Sequence, residues 1–364
     1  MLLFASCGGR QEKANREGFD TIPLQYSKLL QFQQRGDGVR MVTIRNPWKP
    51  QEQLHRYVIV KKGEQKENLP EGTVVEVPLE RMTVFTSVHC RLMQDLGALD
   101  RVSGVCDFEY VQSEEIRRRV EEHLIGNMGS ALNPNVELIL SGKADGLLVS
   151  PFEKSGYGTL ERTGIPLIEC ADYMEPSALG RMEWVKFYGM LVDREAEADS
   201  MFRQVEQRYN ELKTMASEVK EKPTLLCDLM NGAAWYVPGG QSTVGKVYQD
   251  AGANYLFADR KESGSIRLSF ETVYSRGRDA DFWLLKYGRS ESFTYKTLAK
   301  EKAQYTQFAA YKNKKVYGCN TLRVPFYDKE PFHPDRMLAD VIHIIHPELL
   351  PDHELIFFKP LEDE

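Results

Sequence analysis

The chain has 364 residues, with 47 basic and 53 acidic side chains, and its formal net charge is −6. This mild acidity argues against nucleic acid as the main partner, because phosphate binding requires a clustered cationic surface. No run of the sequence approaches the roughly 20 apolar residues of a membrane-spanning helix, which excludes a polytopic membrane protein. The length allows two or three domains, each able to bury its own core.

The N-terminal residues Met1 to Cys7 are informative. A few large apolar residues, then Ala5-Ser6-Cys7 and a polar Gly-rich stretch, resemble the end of a bacterial lipoprotein signal, in which the cysteine carries the lipid. The basic start and most of the apolar stretch are missing, and Phe4 stands where Leu is usual. We expect lipidation at Cys7 and a polar tether within residues 1–20. The alternative is a cytosolic N-terminus with a chance cysteine.

The other five cysteines show no C-x-x-C spacing, so the sequence supports neither a zinc ribbon nor a redox motif. Each lies in an apolar or strand-like context, and we expect buried free thiols. They are Cys90, Cys106, Cys170, Cys227 and Cys319.

The predicted elements divide the rest of the chain into four parts. Residues 21–80 read as strands and turns, a β-rich N-terminal extension. Residues 81–178 alternate short apolar strands with helical patterns, which indicates a parallel α/β lobe covered on both faces. Residues 179–222 form an interlobe helical region, because apolar residues recur every three or four positions from Ala198 to Ala216. Residues 223–364 return to the α/β pattern. The fold class is therefore α/β, with two Rossmann-like lobes joined by a single long helix.

One internal similarity links the two lobes. Glu137 lies near a predicted helix N-terminus, and Asp145 follows eight residues later at the helix-to-strand turn. Glu271 and Asp279 repeat this arrangement in the second lobe. A carboxylate at a helix N-terminus is favoured by the helix dipole, so capping explains either copy alone. The pairing indicates equivalent surface points on two equivalent lobes.

From about residue 81 to the C-terminus, the chain resembles the periplasmic substrate-binding proteins of ABC importers for ferric siderophores, haem and cobalamin. The resemblance rests on the order and spacing of several short segments. These are Asn135-Val136-Glu137, Ser150-Pro151-Phe152-Glu153, Gly164-Ile165-Pro166, Leu179-Gly180-Arg181-Met182-Glu183-Trp184 and Leu268-Ser269-Phe270-Glu271.

The resemblance implies a function without covalent chemistry. Two rigid lobes would hold a metal chelate in the cleft between them, and the long helix would restrict their closure. It also implies that Glu137 and Glu271 dock on arginines of a paired ABC permease, whose twofold the two lobes would match. A monomer without a resident cofactor, lipid-anchored in a Gram-negative periplasm, is the expected form.

Ligand-binding residues are expected on loops at the carboxyl ends of the strands, where open α/β sheets bind ligands. Aromatic rings would stack on a large flat ligand while Lys or Arg meets its carboxylates. We regard Trp235 with Tyr236 as the strongest candidates. The full candidate set is His89, Phe108, Tyr110, Phe152, Tyr157, Tyr173, Trp235, Tyr236, Lys286, Arg323 and Tyr327.

Two alternatives remain open. A Mn or Zn receptor of the same fold would need convergent His and carboxylate ligands, and only His343 and His346 are spaced to share a helix face. An α/β enzyme with an interlobe active site would need a nucleophile or phosphate motif. Ser87-Val88-His89-Cys90 and Gly239-Gly240-Gln241-Ser242-Thr243 lack the spacing of such motifs.

Overall fold

The computed structural model describes residues 18–154 and 156–364. Its first unit is a five-stranded sheet whose strands follow one another in chain order. The first four strands pair antiparallel, and the last two pair parallel. Cys7 and residues 1–17 of the predicted tether lie outside the described residues, and the last two tether positions belong to the first strand, which begins at Phe19. The five strands are Phe19–Ile22, Leu30–Arg35, Arg40–Arg45, Gln53–Lys61 and Thr73–Val77.

The first lobe is a parallel sheet with helices packed against it. From one edge to the other its strands are Leu167–Glu169, Gly146–Val149, Met82–Val84, Val102–Val105 and Gly126–Asn127. Its helices are Ser87–Asp95, Glu114–Glu121 and Val136–Ser141. The segment Gly158–Arg162 forms a short 3₁₀ helix between Gly156 and Gly164.

The second lobe contains a five-stranded sheet and a small three-stranded antiparallel sheet. The strands of the large sheet, in spatial order, are Asn254–Tyr255, Thr224–Cys227, Phe282–Tyr287, Val316–Asn320 and Lys359–Pro360. Those of the small sheet are Met230–Asn231, Ala234–Pro238 and Ser265–Leu268. The helices are Thr243–Asp250, Phe270–Gly277, Tyr295–Glu301, Ala309–Lys312, Phe326–Lys329 and Pro334–Ile345.

The two lobes share one topology. Leaving aside the two-residue edge strand Gly126–Asn127 of the first lobe, and numbering the other strands of each large sheet in chain order, the spatial order begins second, first, third, fourth in both. The third strand of each lobe, Gly146–Val149 or Phe282–Tyr287, is preceded by the helix that carries Glu137 or Glu271. The two glutamates therefore occupy equivalent places in equivalent units.

The linking region consists of the short helices Ala178–Glu183 and Val185–Leu191 and the 23-residue helix Glu195–Ser217, here called the interlobe helix. At 1.5 Å per residue the interlobe helix is about 35 Å long. Phe202 in its first half packs in the core of the first lobe, and Leu212 in its second half packs in the core of the second. Its apolar stripe thus contributes to two cores. The prediction of two α/β lobes on one long helix, with a β-rich extension, is confirmed.

Candidate ligand-binding site

A pocket of about 490 Å³ opens at the carboxyl ends of three neighbouring strands in the first lobe. Those strands are Met82–Val84, Val102–Val105 and Gly146–Val149, and the loops after them supply most of its lining. This is the edge at which open α/β sheets bind ligands. The described lining residues are Phe85, Thr86, Asp107, Ala131, Leu132, Asn133, Pro134, Val149, Ser150, Phe152, Gly156, Tyr157, Gly158, Thr159 and Leu160.

The floor of the pocket is apolar. Phe85, Val149 and Leu160 are each at most 4% exposed and belong to one small hydrophobic cluster. One wall is a short hairpin in which residues 129–130 pair with residues 133–134. Leu132 lies at the tip of this hairpin and is 90% exposed. An apolar floor under an exposed leucine suits a ligand with a sizeable hydrophobic surface.

Asp107 is held next to the hairpin by hydrogen bonds of its backbone and its side chain. It adopts a left-handed conformation with φ of 49°, which aspartate tolerates better than most residues. Its N–H donates to the carbonyl of Gly129 at 2.8 Å, and its Oδ1 accepts from the N–H of Ala131 at 2.9 Å. Its second oxygen, Oδ2, accepts no hydrogen bond from the described residues. This carboxylate is therefore held in place with one oxygen available to a ligand.

Two predicted aromatic residues form the opposite wall, and a third lies beside them. Phe152 and Tyr157 line the pocket, and the ring of Tyr173 lies 6.4 Å from that of Phe152. The hydroxyl of Tyr157 donates to Glu169 at 2.9 Å, and that of Tyr173 donates to the carbonyl of Pro151. Burial, followed by the charge of Glu169, raises the pKa of Tyr157, so this phenol stays neutral. These rings offer faces for stacking rather than anionic oxygen ligands.

Three other predicted aromatic residues are exposed, one on a 3₁₀ turn, one on a strand of the small sheet and one on the helix Phe326–Lys329. Tyr110 is 67% exposed, Tyr236 43% and Tyr327 57%. The segments next to Tyr110 and Tyr327 meet, because Nε2 of Gln112 donates to the carbonyl of Thr321 at 2.6 Å. The cleft thus has an apolar rim drawn from both lobes, while the enclosed pocket belongs to the first.

Two candidate residues prove to be core residues. Trp235 is fully buried and donates from its indole nitrogen to the carbonyl of Cys227. Because successive residues of a strand face opposite sides, Tyr236 is exposed while Trp235 enters the core. His89 is 3% exposed, on a helix, and its Nε2 lies 2.8 Å from Asp172. Neither Trp235 nor His89 belongs to the cleft surface.

The two predicted cations are engaged within the protein. The Nζ of Lys286 lies 2.7 Å from Asp228, and both side chains are less than 20% exposed. The guanidinium of Arg323 donates to the carbonyl of Ser290. Phe108, half-buried, lies under the guanidinium of Arg117 at 4.7 Å. Lys286 is thus held by Asp228, and its contact with a carboxylate of the ligand stays a prediction.

Sequence reasoning missed Asp107, Leu132 and Asn133 as pocket residues. Asp107 directly follows a predicted strand, and its position at the carboxyl end was the available signal. Leu132 and Asn133 lie on a hairpin whose strands are two residues long, too short to show any periodicity.

Glu137 and Glu271 are both exposed and both occupy the second position of a helix. The side chain of Asn135 caps the first helix, and that of Ser269 caps the second. Hydrogen bonding to backbone N–H and Ser269 lowers the pKa of Glu271. The two carboxylates therefore project as charges from capped helix ends.

The predicted partner of Asp145 in the second lobe was Asp279, and this match is wrong. Asp145 directly precedes the third strand and accepts from the N–H of Arg81 at 3.0 Å. Asp281 directly precedes the equivalent strand and accepts from the N–H of Thr224 at 2.8 Å. Asp279 is highly exposed and pairs with its neighbour Arg278. The two lobes therefore do share an aspartate at this position, which is Asp145 in the first lobe and Asp281 in the second.

The features that suggested alternative chemistry have structural explanations. Gly239 and Gly240 lie so close to the chain at residues 258–262 that an added Cβ would meet backbone oxygens at 2.1 and 2.2 Å. Nδ1 of His343 lies 2.8 Å from the carbonyl of Leu350. Within residues 18–154 and 156–364, no three His, Cys, Asp or Glu side chains are grouped so as to hold a metal ion. The described cysteines are free and buried.

The family model for periplasmic binding proteins matches residues 87–321, and the chain belongs to this family. It is of the class in which a long helix joins the lobes and which serves ABC importers as the substrate-binding component. Such proteins are transport components rather than enzymes. No helix within the described part of the chain is long and apolar enough to cross a membrane.

One relative is a lipoprotein of Methanocaldococcus jannaschii, 28% identical over 78% of this chain and 69% of its own. A solved structure described as a possible iron-binding periplasmic protein of Staphylococcus epidermidis matches with a TM-score of 0.59 and 18% identity, covering 74% of this chain and 99% of its own. A structure from an Fe3+-hydroxamate transport system of Saccharomonospora viridis matches with a TM-score of 0.55 and 20% identity, covering 73% and 92%. At these identities the structures establish the shared fold.

Proposed function

We propose that this protein captures a metal chelate, a ferric siderophore, haem or cobalamin, in the cleft and delivers it to an ABC permease. The observation that carries the proposal is the pocket at the carboxyl edge of the first lobe, with its apolar floor and its wall of Phe152 and Tyr157. Rings that stack on a large ligand give affinity without a preformed metal site. The descriptions of the similar structures, which name iron and a ferric hydroxamate, point the same way.

Phe152 provides the test of the site. Phe152→Ala should weaken the binding of the best ligand about tenfold or more, because stacking and buried apolar area are both lost. The matched control is Leu124→Ala, which removes another exposed large apolar side chain, 63% exposed, outside the pocket. Equal affinities for the two variants would show that the ligand binds elsewhere.

The proposed docking surface comprises Glu137 and Glu271. Their support is the shared topology of the two lobes, which gives the pair an approximate twofold relation. A permease made of two like subunits presents two like cationic sites, and a pseudo-symmetric ligand protein can address both at once. Such exposed charges orient the encounter more than they add affinity.

Lipid attachment at Cys7 is the remaining part of the proposal. Ala5-Ser6-Cys7 supports it, and the archaeal relative named as a lipoprotein agrees. The family places the protein outside the cytoplasm; a Gram-negative source stays a prediction. Cys7→Ser, made in the gene with any upstream leader included, should move the protein from the membrane fraction to the soluble fraction. Unchanged membrane association would contradict lipidation at Cys7.

A further inference from the structure

The described lining of the pocket carries a negative charge and no positive charge. Asp107 is the only charged side chain among the described residues that line it. Its Oδ1 is held by the N–H of Ala131, while Oδ2 is left without a hydrogen bond in the described chain. The other polar lining groups are neutral hydroxyls and amides. An anionic ligand entering this pocket would meet a fixed negative charge and no positive one.

The cations elsewhere at the cleft lie outside the pocket lining. Lys286 is paired with Asp228 at 2.7 Å. Arg289 is paired with Glu301 at 2.9 Å, and Arg117 donates to the carbonyl of Val111 at 2.9 Å. Lys154 is exposed on the loop that carries Phe152, but it does not line the pocket.

We propose that the pocket selects neutral or positively charged chelates over anionic ones, and that Asp107 is the residue that sets this preference. The inference rests on the proposed function and narrows its substrate class. A carboxylate beside a partly enclosed apolar floor is poorly screened, so its repulsion of an anion is stronger than at an open surface. Rejecting the wrong ligand by an unfavourable charge contact is a common source of specificity.

In this arrangement, one set of residues contacts the apolar part of the ligand and a different residue interacts with its charge. Phe85, Val149 and Leu160 under the ligand accept any large hydrophobic surface. The carboxylate of Asp107 then distinguishes ligands of similar size by their charge. Haem, with two carboxylates, and a trianionic iron tris-catecholate are disfavoured, whereas neutral trihydroxamates, their amine-bearing cationic counterparts and neutral corrinoids are favoured.

The test is a calorimetric titration of the full chain with five probes at constant ionic strength. The probes are a neutral ferric trihydroxamate, a cationic ferric trihydroxamate, a ferric tris-catecholate, haem and cyanocobalamin. We expect a neutral or cationic probe to bind at least about tenfold more tightly than either anionic probe. Asp107→Asn keeps an acceptor for the N–H of Ala131. It should reduce the ratio of the affinity for the neutral or cationic probe to that for the anionic probes about tenfold, because the cationic probe should bind more weakly and the anionic probes more tightly.

The control is Glu109→Gln, which removes an exposed carboxylate two residues along the same loop and outside the pocket lining. It should leave the ratio unchanged. Tighter binding of an anionic probe by the natural protein, or equal ratios in Asp107→Asn and Glu109→Gln, would overturn the inference while leaving the proposed function standing. Failure of all five probes to bind would overturn the proposed function, and the inference with it.

Discussion

The carboxylate of Glu183 accepts a hydrogen bond from the backbone N–H of Tyr26 at 2.9 Å. The same carboxylate accepts from the N–H groups of Gln25 and Ser27, also at 2.9 Å. Glu183 is 1% exposed, and the hydroxyl of Tyr26 donates to Glu206 on the interlobe helix. The N-terminal extension is thereby fastened to the junction between the first lobe and the interlobe helix.

Glu183→Ala should lower the free energy of unfolding by about 3 kcal/mol or more, because it leaves three backbone donors without their acceptor. Urea unfolding followed by circular dichroism measures this loss, and hydrogen exchange should accelerate first in residues 19–35. Glu221→Ala, at an exposed glutamate after the interlobe helix, is the control and should stay within about 0.5 kcal/mol of the natural protein. Similar unfolding midpoints for the two variants would contradict the fastening role.

The buried pair of His89 and Asp172 predicts a pH dependence of stability. Burial alone would lower the pKa of His89, but Cys170 and Asp172 beside it raise it to about 10. The folded-state pKa lies above the ordinary value of about 6.5, so the charged histidine contributes stability fully below pH 6.5 and loses it as the pH rises towards 10. The pKa of Asp172 is lowered, although burial opposes this, because His89 and Arg181 favour its charge. Its contribution is lost in acid.

His89→Gln should therefore destabilise the protein by about 3 kcal/mol near neutral pH, and the difference should shrink between pH 6.5 and 10. Urea unfolding over this pH range is the measurement. His123 is exposed with φ of 60°, so His123→Asn is a control that fits the same backbone. A stability difference for His89→Gln that is constant across the range would show that His89 contributes through packing and not through its charge.

Charge reversal at the two glutamates proposed to dock on the permease should prevent delivery while leaving ligand capture intact. Glu137→Arg with Glu271→Arg is expected to reduce stimulation of ATP hydrolysis by the reconstituted cognate importer at least about tenfold, with chelate affinity unchanged. Glu211→Arg with Glu218→Arg makes the same change of net charge on the exposed face near the end of the interlobe helix, and it should retain stimulation. A loss of chelate affinity in the first variant would place its glutamates in the ligand site instead.

The interlobe helix and the two lobes could be predicted from the sequence because their apolar residues recur at regular spacings. The stripe from Ala198 to Ala216 predicted the interlobe helix, observed at Glu195–Ser217. Side-chain environments were less predictable. Trp235 and Tyr236 look alike in sequence, but strand geometry sends one to the core and the other to solvent.

The ion pairs of the cleft could not be read from sequence either. Lys286 and Asp228 are 58 positions apart and meet because the strand that contains Lys286 is a neighbour of the strand that ends just before Asp228. Asp107 gained its importance from a hairpin of two-residue strands, which leaves no pattern in the sequence. Topology, rather than local propensity, decided which charges remain available to a ligand.

The ligand proposed for this protein is a metal chelate and not a free metal ion. Equilibrium dialysis of the purified chain against ferric siderophores, haem, cyanocobalamin, Mn²⁺ and Zn²⁺ tests it most directly. At least one chelate should bind with micromolar or tighter affinity, while the two free ions should bind far more weakly. Tight binding of Mn²⁺ or Zn²⁺ with no binding of any chelate would contradict it.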